Sequence, residues 1–247
     1  MTYNPEYSHT FFLTAGESNA EGLLPVTLLT ERIIEVATEH ANALGIGYDQ
    51  LITQNIGWVL SRLTFEMKRY PRINDEYTLT TWIESYNKRF SERNFMITDG
   101  KGEVIGYART VWAAIDMTRR CFADLTDFER ERFPIGPRPC PIRKSARLPI
   151  ITEAVCTETY TFRYCDTDFN RHVNTVRYIE LILNHWPLEH YDKYAVERLD
   201  ISFHSECLYG QTVELRFGCT DNGSICEITA DGRKAVGTAI EWRLHNR

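Results

Sequence analysis

The stretch Tyr164-Cys165-Asp166-Thr167-Asp168-Phe169-Asn170-Arg171-His172-Val173-Asn174 gathers carboxylates, amides and an imidazole into a few residues. Such a set can hold a water, move a proton and polarise a carbonyl, provided that it is positioned rigidly. Alternation before it predicts a strand and helical periodicity after it predicts a helix. The segment therefore reads as a strand-to-helix turn, a place that holds side chains still. Backbone N–H groups at the start of that helix are candidates for stabilising an oxyanion. Each residue also has a plainer use. Asp and Asn before a helix commonly cap it, and Asp166 reads as no more than that. Asp168 with His172 could belong to a metal site, but no second His or carboxylate stands at ligand spacing nearby, so no metal is expected. His185 and His190, flanking Trp186 and Pro187 at a helix end, read as solvent-facing. Cys165 and Cys207 read as small buried hydrophobes.

The elements that must position this segment repeat. In the first half, Leu29, Ile33, Val36, Ala37, His40 and Leu44 share one face of a helix over about 27–44, with Gly45 placed for a left-handed cap. A strand near 9–13 precedes it. Runs at 58–68, 76–84, 93–98 and 103–116 follow, separated by turn pairs such as Asn74-Asp75 and Asp99-Gly100. The second half has the same order: a strand at 157–163, then a helix from Thr175 carrying Ile179, Ile182, Leu183 and Trp186. Asn174 is its expected N-cap, with Val173 and Tyr178 as a hydrophobic staple. Strands are expected at 196–205, 212–218, 226–230 and 234–244. Between the halves, Pro134, Pro137, Pro139, Pro141 and Pro149 mark an extended linker. The fold class is α+β, one helix across an antiparallel sheet, twice over.

Composition excludes several functions. The net charge of -6 argues against a nucleic-acid binder. No run is long and apolar enough to span a membrane. Residues 1–12 lack a basic region followed by an apolar core, so no signal peptide is expected there. The seven cysteines, Cys121, Cys140, Cys156, Cys165, Cys207, Cys219 and Cys226, contain no Cys-x-x-Cys pair. Neither structural zinc nor a disulfide framework is expected, and the chain reads as cytoplasmic and reduced.

Asp-x-Asp followed by His-Val-Asn, then Tyr178 in an amphipathic helix, resembles the active-site segment of hot-dog thioesterases. The spelling Asp168-x-Asn170-x-His172-Val173-Asn174 is closer still to acyl-acyl carrier protein thioesterases, found in plant plastids and in bacteria. Trp58-Val59 with Arg62, Arg69-Tyr70-Pro71, Thr81-Trp82, Trp112, Asp116 and Thr118-Arg119-Arg120 resemble that family's first-half motifs. Phe203-His204-Ser205-Glu206-Cys207 resembles its second-half strand with an acidic residue. The resemblance implies a double hot-dog, two repeats of a long helix on an antiparallel sheet. Residues 1–132 would bind the acyl chain, 133–150 would link, and 151–247 would catalyse.

The resemblance also implies a catalytic set of Asp168, Asn170, His172 and Glu206; one difference is that no transit peptide is expected here, as in a bacterial version. Glu206, expected on a strand facing the turn, suits activation of water, since partial desolvation makes a carboxylate more basic. His172 and Asn170 suit orientation and polarisation of the carbonyl. Asp168 would orient His172 or act on the carbonyl, and the roles of Asp168 and Glu206 stay exchangeable. The implied reaction is hydrolysis of a fatty acyl-acyl carrier protein thioester without cofactor. An acyl-CoA thioesterase and a non-catalytic acyl-binding protein are the alternatives. The implied partner is acyl carrier protein, docking on Arg130, Arg132, Arg138, Arg143, Lys144 and Arg147. Neither nucleic acid nor membrane insertion is expected, and a homodimer remains an option.

Overall fold

Leu29, Ile33 and Val36 have no exposed surface, and Ala37, His40, Ala41 and Leu44 are buried beside them. That stripe makes α1 (Val26–Ala43) a helix with one face committed to the core. Gly45 follows the Leu44 cap at φ +71°, a conformation glycine adopts without steric cost. The computed structural model describes residues 3–125, 134–145, 147–221 and 223–245. They divide into two compact units, Met1–Lys144 and Ser145–Arg247.

In the first unit, β1 (Glu6–Phe12), α1 and α2 (Tyr48–Ile52) precede four long strands. These are β2 (Ile56–Met67), β3 (Glu76–Tyr86), β4 (Phe90–Asp99) and β5 (Val104–Asp116), with the short β6 (Cys121–Phe122) pairing β5. The strand order is β1-β3-β4-β5-β2, antiparallel throughout, and α1 packs on β1 and β3. A buried polar pair, a guanidinium and an imidazole, interrupts the apolar contact. Buried Arg93 on β4 donates from Nη1 to His40 Nδ1 at 2.7 Å, and burial and the guanidinium hold His40 down at about 4. His40 is therefore neutral at ordinary pH.

The second unit has β7 (Cys156–Thr161), α3 (Thr175–Leu183), α4 (Leu188–Tyr191), β8 (Tyr194–Phe203), β9 (Thr212–Thr220), β10 (Gly223–Ala230) and β11 (Arg233–Leu244). Its strand order, β7-β9-β10-β11-β8, places first, third, fourth, fifth and second strands as in the first unit. Among the described residues the helices differ. α1 has 18 residues and α3 only 9, ending at Asn184 before Trp186. A long helix per repeat is thus not what forms. Pro187 disfavours helical backbone at the residue before it and lacks an N–H, so α3 cannot run on into 188–191. A second difference concerns Glu206. β8 ends at Phe203, so Glu206 lies in the following loop and not on a strand.

The proline-rich stretch is not free along its length. Arg109 Nε donates to the Ile142 carbonyl at 2.9 Å and its Nη2 to that of Cys140 at 2.6 Å, and the Cys140 and Ile142 side chains are buried. Residues 126–133, where the expected boundary at 132 falls, lie outside the described residues. No described helix is long and apolar enough to cross a membrane.

Candidate active site

Two carboxylates shape the turn between β7 and α3. Asp166 Oδ2 accepts from the Tyr160 hydroxyl at 3.0 Å and from the Arg163 N–H at 2.7 Å, closing a 3-10 turn over Tyr164–Asp166. Asp168 Oδ1 accepts from the N–H groups of Asn170 at 2.8 Å and His172 at 3.2 Å. The Asp168 N–H donates to the His172 carbonyl at 2.8 Å, and Arg171 turns the corner at φ +64°. The loop is thereby wound around the Asp168 carboxyl. Asn174 then caps α3, its Oδ1 accepting from the Val176 N–H at 3.0 Å, with Val173 and Tyr178 both buried.

A second loop, 204–209, is tied to the first. The Val173 N–H donates to the Cys207 carbonyl at 2.9 Å, and His172 bridges Leu208. Tyr178 completes the junction: its hydroxyl accepts from the buried Cys207 N–H at 3.0 Å. Burial pushes the Tyr178 phenol well up, so it stays neutral and keeps its proton. The result brings His172 Nδ1 to 3.4 Å from Glu206 Oε1, with both side chains partly exposed. Nε2 is left on the opposite edge of the imidazole.

The sequence-derived set therefore sorts by contact. His172 and Glu206 meet through their side chains. Asp168 reaches His172 through its backbone, and the carboxylate beside the imidazole is that of Glu206. Asn170 is exposed at the crest of the turn. Most backbone N–H groups at the helix start, where an oxyanion role is expected, are engaged, Thr175 at the first position of α3 standing apart. Those of residues 170–174, 176 and 177 are all bound to Asp168, Cys207, Asp166 or Asn174. The Asn170 amide and the His172 ring are side-chain candidates for the same role. Cys207 is fully buried and burial raises its thiol pKa, which disfavours the thiolate a nucleophile requires.

Tyr178, placed by pattern as a staple and by resemblance in the active-site segment, also ties the two loops together. A tyrosine where phenylalanine would pack was the available signal, since a buried phenol needs a hydrogen-bond partner.

Elsewhere, His185 is not simply solvent-facing: it stacks on Phe217 at 3.7 Å and bonds Glu158 Oε1 at 2.5 Å. With Cys156 these residues place three potential ligand atoms within 4.8 Å of one another. The nitrogen and oxygen are in direct hydrogen bond, however. Tetrahedral ligands with metal bonds of about 2.0 Å stand about 3.3 Å apart. The trio is a hydrogen-bonded pair with a neighbouring thiol.

The expected docking cations are partly engaged. Arg138 pairs with Glu6 at 2.6 Å, and Lys144 pairs with Glu84 at 3.3 Å and with Glu92. Arg130 and Arg132 lie outside the described residues.

The family model described as acyl-ACP thioesterase N-terminal domain matches residues 4–131, and that of the acyl-ACP thioesterase C-terminal domain matches 151–244. A chloroplast acyl-[acyl-carrier-protein] hydrolase of Cuphea viscosissima is 25% identical over 220 residues, covering 84% of this chain and 53% of the relative. The chloroplast oleoyl-acyl carrier protein thioesterase 2 of Arabidopsis thaliana is 25% identical over 258 residues, covering 97% and 70%. The chain spans about half the length of the first of these curated relatives. An acyl-ACP thioesterase structure from Bacteroides thetaiotaomicron superposes with a TM-score of 0.89 at 29% identity, over 96% of this chain and 98% of that one. A 12:0-ACP thioesterase from Umbellularia californica shares the fold, with a TM-score of 0.84 at 18% identity over 98% of each chain.

Proposed function

The chain belongs to the acyl-ACP thioesterase family, with the hot-dog type of fold, and from that premise we propose that it hydrolyses fatty acyl-acyl carrier protein to free fatty acid and carrier thiol. The observation that carries the proposal is the contact of His172 with Glu206, on loops that the family model covers. Water attacks the thioester carbonyl while Glu206 takes a proton from it. The Asn170 amide faces the carbonyl oxygen as it gains charge, and His172 adds an Nε2–H there only as the imidazolium, with its Nδ1–H directed at Glu206. The tetrahedral intermediate collapses, the carbon–sulfur bond breaks, and the thiolate leaves with the proton that Glu206 took from water, which restores the Glu206 carboxylate. Asp168 holds the loop in the shape this needs. Its Oδ1 already accepts two backbone N–H groups, which supports giving the basic role to Glu206.

The remaining assignments belong to the same proposal. The catalytic-type segment occurs only in the second repeat. The first is assigned the acyl tail, with the two repeats divided at the linker over 133–150. The compartment is the cytoplasm, acyl carrier protein is the partner, and a homodimer is an option carried with it. Release of free thiol from carrier-protein and CoA thioesters of graded chain length tests the reading. Turnover of carrier-protein thioesters above CoA thioesters is expected. Acyl binding without thiol release would overturn it, and a preference for CoA would redirect it.

A further inference from the structure

The two repeats build the same pair of loops, almost bond for bond. Asn19 in the first repeat stands where Asp168 stands in the second. Its Oδ1 accepts from the Leu23 N–H at 2.8 Å, and its N–H donates to the Leu23 carbonyl at 3.0 Å. Gly22 turns the corner at φ +70°, as Arg171 does at +64°. The Leu24 N–H donates to the Pro71 carbonyl at 2.9 Å, as that of Val173 does to Cys207. Leu23 bridges Arg72 as His172 bridges Leu208. Leu23 and Tyr70 therefore occupy the places of His172 and Glu206. The first repeat keeps the frame without the chemistry, so a tie found only in the second is one that the frame itself does not need.

The turn closing the second loop carries such a tie. In the first repeat Asp75 Oδ2 accepts from the Arg72 N–H at 2.8 Å, and the Asp75 N–H donates to the Arg72 carbonyl at 2.9 Å. In the second, Gln211 Oε1 accepts from the Leu208 N–H at 3.1 Å, and the Gln211 N–H donates to the Leu208 carbonyl at 3.2 Å. A carboxylate only accepts, whereas a carboxamide also donates. Gln211 Nε2 spends that donor on Asp231 Oδ2 at 2.6 Å, in the turn between β10 and β11. Among the described residues the Asp75 side chain reaches nothing beyond its own turn.

We propose that Gln211 and Asp231 are positioning residues: their hydrogen bond braces the 204–209 loop so that the Glu206 carboxylate stays against His172 Nδ1. The inference rests on the thioester-hydrolase reading above. The two N–H groups directly after Glu206 are both held by side chains, that of Cys207 by Tyr178 and that of Leu208 by Gln211. The first repeat dispenses with the former bond altogether. Leu29 stands at the place of Tyr178, and Pro71, at the place of Cys207, has no N–H to hold. Both additions thus fall on the loop that carries the carboxylate, and both are missing where a tyrosine replaces it. Proton transfer from water depends on geometry, and a misplacement of about 1 Å is costly to such a step.

Gln211→Glu keeps an acceptor for the Leu208 N–H but loses the donor and sets a like charge against Asp231. Asp231→Ala removes the same bond from the other side. In the double variant Gln211→Glu with Asp231→Asn the bond can form again in the opposite direction, the new amide donating to the new carboxylate. Thiol release is measured for each from a fatty acyl-carrier protein and from the N-acetylcysteamine thioester of the same acid, well below every unfolding midpoint. Both single variants are expected to lower kcat by about tenfold on both substrates, with KM close to the wild-type value. The double variant should recover most of that loss, which a general loosening of the fold would not allow. Wild-type kcat in folded Gln211→Glu, a loss confined to KM, or a double variant no better than the single one would overturn the proposal. Wild type that releases no thiol from either substrate would bring down the functional reading, and the brace with it.

Discussion

Asp168 and Glu206 carry the same functional group, and their surroundings divide the work between them. The Asp168 carboxyl is the hub of a turn, accepting from Asn170 and His172 N–H groups, whereas Glu206 faces the imidazole. The division predicts unequal effects of two substitutions. Asp168→Asn retains an oxygen that can accept both N–H groups and should keep a substantial share of turnover. Asp168→Ala loses the hub, should cost about 1–2 kcal/mol of stability by urea denaturation, and should lower activity further. Equal and near-complete inactivation by both, in folded protein, would return Asp168 to a direct chemical role. Residue types and spacing made the turn and its cap legible. They could not reveal that Asp168 reaches His172 through backbone, because capping and catalysis call on the same residues.

Among the elements, α3 and the loop after β8 show what pattern can and cannot locate. The buried stripe of Val176, Tyr178, Ile179 and Ile182 follows helical periodicity, and Asn174 caps as its type suggests. Pattern carried α3 on to Trp186, past its end at Leu183, although Pro187 bars any continuation into 188–191. Glu206 was placed on a strand by resemblance, although alternation stops at Phe203, where the ladder ends, and His204, Ser205 and Glu206 are all polar. What places the loop after β8 is a contact between residues far apart in sequence, the Tyr178 hydroxyl to the Cys207 N–H. Tyr178→Phe would leave that buried N–H without its acceptor, at about 1–3 kcal/mol. The expected kinetic signature is a fall in kcat with little change in KM, because Glu206 is displaced while the surface that meets substrate stays. A thermal unfolding midpoint and kcat both unchanged would show that the bond does not position the loop.

At the level of the whole molecule, the duplicated order of helix and strands was readable from hydrophobic pattern alone, and both units carry it with the same strand order. The charges were less readable. A run of arginines and lysines looks free in sequence, yet Arg138 and Lys144 meet Glu6, Glu84 and Glu92, which lie far from them along the chain. His40 likewise reads as one of six core positions on α1, and only the fold shows it against a buried arginine. The central claim concerns the whole reaction: water, activated at Glu206 beside His172, cleaves the acyl thioester with no acyl group passing to the protein. Intact-protein mass spectrometry on mixtures with stoichiometric fatty acyl-carrier protein tests it most directly. Wild type and Cys207→Ala should both deacylate the carrier, and Glu206→Gln should leave it acylated, with no enzyme gaining the mass of an acyl group. An acyl adduct on Cys207, or deacylation by Glu206→Gln at the wild-type rate, would contradict it.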